Sequence, residues 1–160
     1  HAEIVAAARR PLLYTDWGTP DSLDGRYEAI ILHAHLVLRR LRRPDGDPAL
    51  AQALFDVTFK DFELSLREIG VGDQGVPHKI KAMGKGAYGR FEAYDAGLAD
   101  GAAPEVLAEA LRRNYYGTAE PDAAALDALA AYARRVDAAF MADSVIAMEA
   151  RRPMFPDLTS

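Results

Sequence analysis

Residues 50–73, LAQALFDVTFKDFELSLREIGVGD, constrain the fold more than any other stretch of this chain. At helical spacing Leu50, Leu54, Val57 and Leu64 form one apolar stripe, and Phe55, Phe59, Phe62, Leu66 and Ile69 form a second. The polar line is confined to Gln52, Asp56, Lys60, Glu63 and Arg67. A helix apolar around so much of its circumference needs neighbours on at least two sides. The pattern therefore predicts a central helix of an all-α domain, with Phe55, Phe59 and Phe62 buried. Asp56–Lys60 and Glu63–Arg67 are acid-before-base pairs four apart, which support a helix by about 0.2–0.5 kcal/mol each. Gly70 suits the left-handed residue after a helix end, and Gly72 and Asp73 continue the turn.

Asp61 interrupts the first stripe between Val57 and Leu64. It is expected to be a buried structural carboxylate paired with an arginine of a neighbouring helix, Arg26 or Arg90 being the preferred partners. The competing reading, a catalytic or metal-binding acid, requires convergent partners.

The rest of the chain reads as further helices. Ala2 to Arg10 is a short helix before Pro11, and residues 11–21, PLLYTDWGTPD, read as an ordered loop. Tyr14 and Trp17 in that loop either fold back onto the core or stand out as an aromatic anchor for a partner. Ser22 to Arg43 is a helix stopped by Pro44, and the PDGDP turn brings the next helix back antiparallel. Pro77 opens a third helix with Ile80, Met83, Ala87, Phe91, Tyr94 and Leu98 in line, ending at Gly97 to Gly101. Pro104 to Tyr116 is a fourth, closed by Gly117, and an alanine-rich helix runs from about Pro121 to Arg151. With 160 residues, half of them apolar, the chain affords one core. The expectation is a single helical-bundle-like domain of five to seven helices, its core at about 11–150, with 151–160 an extended tail. The chain opens on His1, which is not a natural initiator.

Little in the sequence points to reaction chemistry. There is no cysteine, which removes disulfides, thiolate ligands and cysteine nucleophiles. Gly84-Lys85-Gly86-Ala87-Tyr88-Gly89 spells G-x-G-x-x-G, but the dinucleotide fingerprint joins a strand to a helix, and PHKIKAM before it is already helical. The three glycines are instead expected within a helix, one of them against a neighbouring backbone. His33 and His35 stand two apart, H-E-x-x-H and paired E-x-x-H are missing, and G-x-S-x-G is absent. Asp56 and Asp61 are too few and badly spaced for the aspartate-rich magnesium site of isoprenoid chemistry. No catalytic, metal or cofactor residue is assigned. The net charge of −5 argues against general nucleic-acid binding, and no apolar run approaches a membrane span. Local basic groups remain at Arg39–Arg43, at Lys79, Lys81 and Lys85, and at Arg112 and Arg113.

Particular residues add what spacing does not. WGTPDSLDGRYE at 17–28, LFDVTFKDFELSLREIGVGD at 54–73, YGR at 88–90 and RRNYYG at 112–117 resemble, in the same order, the ubiquinol–cytochrome c chaperone family. The run SLREIGVGD followed by YGR is the most specific part; Ile69 stands where methionine is frequent, and the C-terminal helix carries little signature. The resemblance implies a non-enzymatic assembly factor without cofactor. It would hold newly made cytochrome b during assembly of ubiquinol–cytochrome c reductase, respiratory complex III. Organellar relatives in the mitochondrial matrix look to a small partner protein and the ribosomal exit region. The alanine- and arginine-rich composition suggests a bacterial member, cytoplasmic and peripheral to the inner membrane. Candidate partner-binding residues are Trp17, Arg67, Glu68, Gly70, Gly72, Asp73, Tyr88, Arg90, Arg112, Arg113 and Tyr116. The alternative is a lipid- or isoprenoid-binding protein or enzyme on the same scaffold.

Overall fold

The computed structural model describes residues 1–145 and 155–158. Helices α1 (Ala2–Ala8), α2 (Pro11–Thr15), α3 (Leu23–Leu41), α4 (Pro48–Glu68), α5 (Gly75–Gly97), α6 (Pro104–Leu111) and α7 (Ala123–Ala142) follow one another, with a π-helical turn at Arg112–Tyr116 before Gly117. The protein is all-α. Local chemistry explains where the long helices begin. Ser22, Asp47 and Asp122 each accept a hydrogen bond from the backbone N–H three residues on, satisfying a donor that the first turn leaves open. Pro48 and Pro104 occupy first-turn positions where no N–H is needed. The turn at 44–47 folds α4 back on α3, so that Tyr27 near the start of α3 meets Phe62 near the end of α4 at 5.0 Å between rings.

The centre of the fold is α3, not α4. Every residue from Glu28 to Leu38 is buried, and α3 packs against α1, α4, α5, α7 and the π-helical turn. Helix α4 packs chiefly on α3 and α5. Of its two predicted stripes, only the second is gripped: Phe59, Phe62 and Leu66 are buried, and Phe55 is half-buried. On the first, Leu54 is buried while Val57 and Leu64 are 44% and 49% exposed. The reason is Asp61 itself. Its side chain is 45% exposed, and its ion partner is His1 Nε2 at 3.3 Å. Arg26 holds Asp21 and Arg90 holds Glu28, so neither expected arginine reaches it. A charge on the stripe, with Lys60 and Glu68 beside it, marks a wet face.

Other expectations shift in smaller ways. The predicted loop at 11–21 contains α2, and Trp17 turns inward, its ring 5.8 Å from that of Tyr132. Gly84, Gly86 and Gly89 do lie within α5, but none meets a neighbouring backbone: a Cβ on Gly84 would touch only the Phe59 ring, and one on Gly89 nothing within 4 Å. The close approach is at Gly97, where a Cβ would fall 2.6 Å from Leu107 Cα. That position lets α5 and α6 cross. The last long helix stops at Ala142 because Asp143 is extended, short of the Arg151 expected, and residues 146–154 lie outside the described residues. Residues 155–158 are non-helical and dock on the core through Phe155 and Leu158. Arg10 and Arg135 donate to their backbone carbonyls.

Candidate functional site

Two of the stretches singled out by sequence, 17–28 and 112–117, meet beside α3. Trp17 and Thr19 meet the π-helical turn: the Tyr115 hydroxyl and Thr19 Oγ1 are 2.8 Å apart, and the Tyr116 hydroxyl donates to Trp17 O at 2.8 Å. All four residues are buried. A π-helical turn adds a residue to the helix, which here places two successive tyrosines, 5.1 Å between rings, against one short segment. Burial drives both phenols upward, Tyr115 and Tyr116 alike, so they remain neutral donors. Gly117, at φ +61°, then reverses the chain.

The same side carries an ion pair that sequence reasoning missed. Glu28 is buried on α3, and its carboxylate is clasped by Arg90 Nε at 2.6 Å and by a second, shorter contact from Arg90 Nη2. Arg90 also lies over the Tyr27 ring at 5.7 Å. Burial pushes the Glu28 carboxyl above its ordinary value, and the Arg90 hydrogen bond and charge only partly oppose this. The pair thus orients α5 on α3 more than it stabilises the fold. Glu28 closes one signature stretch and Arg90 another. The signal was there, but a glutamate inside an otherwise apolar run carries no periodicity of its own.

A second buried network lies farther along α3. His35 Nε2 sits 3.3 Å from Asp95 on α5, and Arg39 bridges Asp95 to Asp137 on α7, at 3.5 and 3.0 Å. Burial lowers the His35 pKa despite Asp95, and it raises that of Asp137 despite Arg39. His33, fully buried, donates from Nδ1 to Ala29 O at 2.7 Å; its Nε2 accepts from the Tyr132 hydroxyl at 3.1 Å. Desolvation lowers the His33 pKa to about 4. Part of the basic cluster at Arg39–Arg43 joins this interior. Arg40 is buried on Asp45 and the Asp143 carbonyl, Arg43 also reaches Asp45, and Arg42 caps the Phe91 ring at 5.1 Å. Arg39 and Arg40 are thus spent on the fold, while Arg42 and Arg43 remain exposed.

What remains outward is the edge formed by α4, α5 and their connecting turn. Arg67 holds Glu63 at 3.1 Å and also Asp73, which ties the helix end to the turn. Glu68, Gly70 and Gly72 are exposed beside them, with Gly70 at φ +86°. Ile69 is 57% exposed and Tyr88 55% exposed, the Tyr88 ring stacked on Phe55 at 5.5 Å. Of the sequence-derived candidates, Arg67, Glu68, Gly70, Gly72 and Asp73 thus share one turn. Trp17 and Tyr116 face each other indoors, Arg90 faces Glu28, and Arg112 pairs with Glu109 while Arg113 is exposed. Among the described residues no group of three His, Asp or Glu is placed to hold a metal ion. No helix among them is long and apolar enough to cross a membrane. Among the described residues the arrangement offers exposed surfaces and ties between helices.

Comparisons with known proteins agree with one another. The family described as "Ubiquinol-cytochrome C chaperone" matches residues 15–150. The chain is similar to the crystal structure of the Cbp3 homolog from Brucella abortus, with 38% sequence identity and a TM-score of 0.85. That likeness covers 99% of this chain and 87% of the other. No curated protein gives a significant match.

Proposed function

The chain belongs to the ubiquinol–cytochrome c chaperone family, and from that membership we propose that it is a non-enzymatic assembly factor for respiratory complex III. It holds newly made cytochrome b while ubiquinol–cytochrome c reductase is assembled. It works in the cytoplasm of a bacterium, against the inner membrane. The single observation that carries this reading is the family match over 15–150, which spans every helix from α3 to α7. The division of labour in the structure supports it. The residues that could have served chemistry, Glu28, His33, His35 and Asp137, are buried and engaged with neighbouring helices, whereas apolar and basic side chains stand on the α4–α5 edge.

The client contact is assigned to that edge, with Arg67, Glu68, Gly70, Gly72, Asp73 and Tyr88 as its named residues. Trp17, Arg90 and Tyr116 support it from within by fixing α3, α5 and the π-helical turn together. Arg112 and Arg113 stand on that turn, where a small partner protein would meet them. A deletion strain tests the function. The expected result is loss of the haem b absorbance and of assembled complex, restored by the parent gene, with cytochrome b copurifying from native membranes. Normal haem b spectra and complex content in the deletion would overturn it.

A further inference from the structure

Three lysines on α5 lack a counter-charge in a protein whose cations are mostly tied down. Arg39, Arg40, Arg67, Arg90 and Arg112 each hold a carboxylate. Among the described residues, no carboxylate pairs with Lys79, Lys81 or Lys85. The chain carries a net charge of −5, yet residues 74–91 contain neither Asp nor Glu. Lys79 and Lys81 fall in the second turn of α5 and Lys85 near its middle, and the first turn carries no acid that could reach them. An anionic partner outside the chain would supply the missing counter-charge.

The geometry describes the face it would meet. His78, Lys81, Lys85 and Tyr88 recur at spacings of three and four, which align them on one side of the helix, and all are exposed. Ala82 and Gly89 share that side, and no atom lies within 4 Å of where a Gly89 Cβ would project. A flat surface can therefore approach the α5 backbone closely. Tyr88, exposed with its ring backed by Phe55, closes the band before Glu92 restores negative charge one turn on. The cations are lysines, compact and strongly hydrated, without the planar fork that arginine brings to bidentate recognition. Diffuse charge beside an amphipathic ring suits a headgroup layer better than a shaped peptide partner.

We infer that the His78–Tyr88 face of α5 adsorbs reversibly to the anionic phospholipid headgroups of a bilayer. The inference rests on the assembly reading only in placing the protein beside a membrane. It would orient the Arg67–Asp73 turn, at the neighbouring end of α4, along that membrane.

Vesicle flotation of the purified protein tests it, using phosphatidylcholine alone and equal parts phosphatidylcholine and phosphatidylglycerol. Binding is expected only with phosphatidylglycerol, and it should fall as salt rises. Each lysine should contribute about fivefold in partition. The double variant Lys81→Glu/Lys85→Glu should lose at least that factor twice over while melting like the parent. Lys60→Glu, altering a lysine already paired with Glu63, should float like the parent. Equal flotation with phosphatidylcholine alone, or undiminished flotation of the double variant, would overturn the inference. Should the double variant float normally but no longer capture cytochrome b, the face binds protein, and the lipid assignment fails while the assembly reading stands. Failure of the assembly reading shows separately, as normal complex content in the deletion strain.

Discussion

Helices α3 and α4 are joined by the six residues 42–47 and have similar lengths, yet they treat their polar residues in opposite ways. On α3, Glu28, His33, His35 and Arg40 are all buried, and each engages a group outside its own helix. On α4, apolar Val57 and Leu64 are left exposed around a half-exposed Asp61. The difference teaches that position in the fold, not polarity of the sequence, decides which side chains are free. A helix surrounded by five neighbours finds partners for the polar groups it buries. One packed on a single side keeps surplus hydrophobic surface, of the kind the proposed client contact would use.

The largest test asks how firmly the inner face of α4 is held. Phe62 is buried against Tyr27 of α3 and Phe59. Phe62→Ala should cost about 3–5 kcal/mol through lost contacts and the cavity left behind. A urea midpoint unchanged from the parent would mean that α4 is not anchored to α3 at all.

Next comes the tie between α3 and α5. Arg90→Ala strands a buried Glu28 carboxyl and should cost about 3 kcal/mol. Glu28→Gln with Arg90→Met, which removes both charges, should be milder than the single change. Additive losses in that double-mutant cycle would show that the two groups do not act as a pair.

The interior polar network also makes α3 the acid-sensitive part of the molecule. The His33 pKa lies at about 4 in the folded protein because burial disfavours the imidazolium, and near 6.5 when unfolded. Between those values the unfolded state binds more protons, so the His33 contribution is complete above pH 6.5 and is lost as pH falls towards 4. Unfolding free energy should drop by about 2 kcal/mol between pH 7 and pH 5 from this group alone. His35, also lowered by burial, adds in the same direction. His33→Gln should flatten the slope; an equally steep profile in that variant would assign the sensitivity elsewhere.

Much of this fold was legible in the sequence because prolines, glycines and capping residues punctuate it: Pro48, Pro104, Gly97 and Gly117 all sit at helix boundaries in the structure. The all-α class and the family followed from periodicity and from the signature stretches. Layering did not. The sequence shows two apolar stripes around α4, with its polar residues confined to one line, so α4 read as the centre. What reversed the order is the pairing of α3's polar residues with side chains as far as 99 positions away, Tyr132 for His33 and Asp137 for Arg39. Such pairs leave no local pattern. The candidate site was legible only as composition: Arg67 to Asp73 promised a shaped turn and gave one. Tyr14 and Trp17 offered a fold-back onto the core and, less readily, an exposed anchor; tertiary contact decides for the core, with Trp17 buried and Tyr14 half-buried.

The smallest effect falls on the face that α4 leaves uncovered. Leu64 is 49% exposed and Val57 is 44% exposed, so truncation removes little area that folding had taken from water. Leu64→Ala should change stability by no more than about 0.5 kcal/mol, as ordinary surface substitutions do. Read beside Phe62→Ala, two residues away on the same helix, it separates the gripped face from the free one. If the free face contacts cytochrome b, Leu64→Ala should weaken copurification of the client while the urea midpoint stays put. A stability loss as large as that of Phe62→Ala would instead place a second neighbour on this stripe. Helix α4 would then be held on two sides, as its sequence pattern predicts, and the surplus surface ascribed to it would belong to the core.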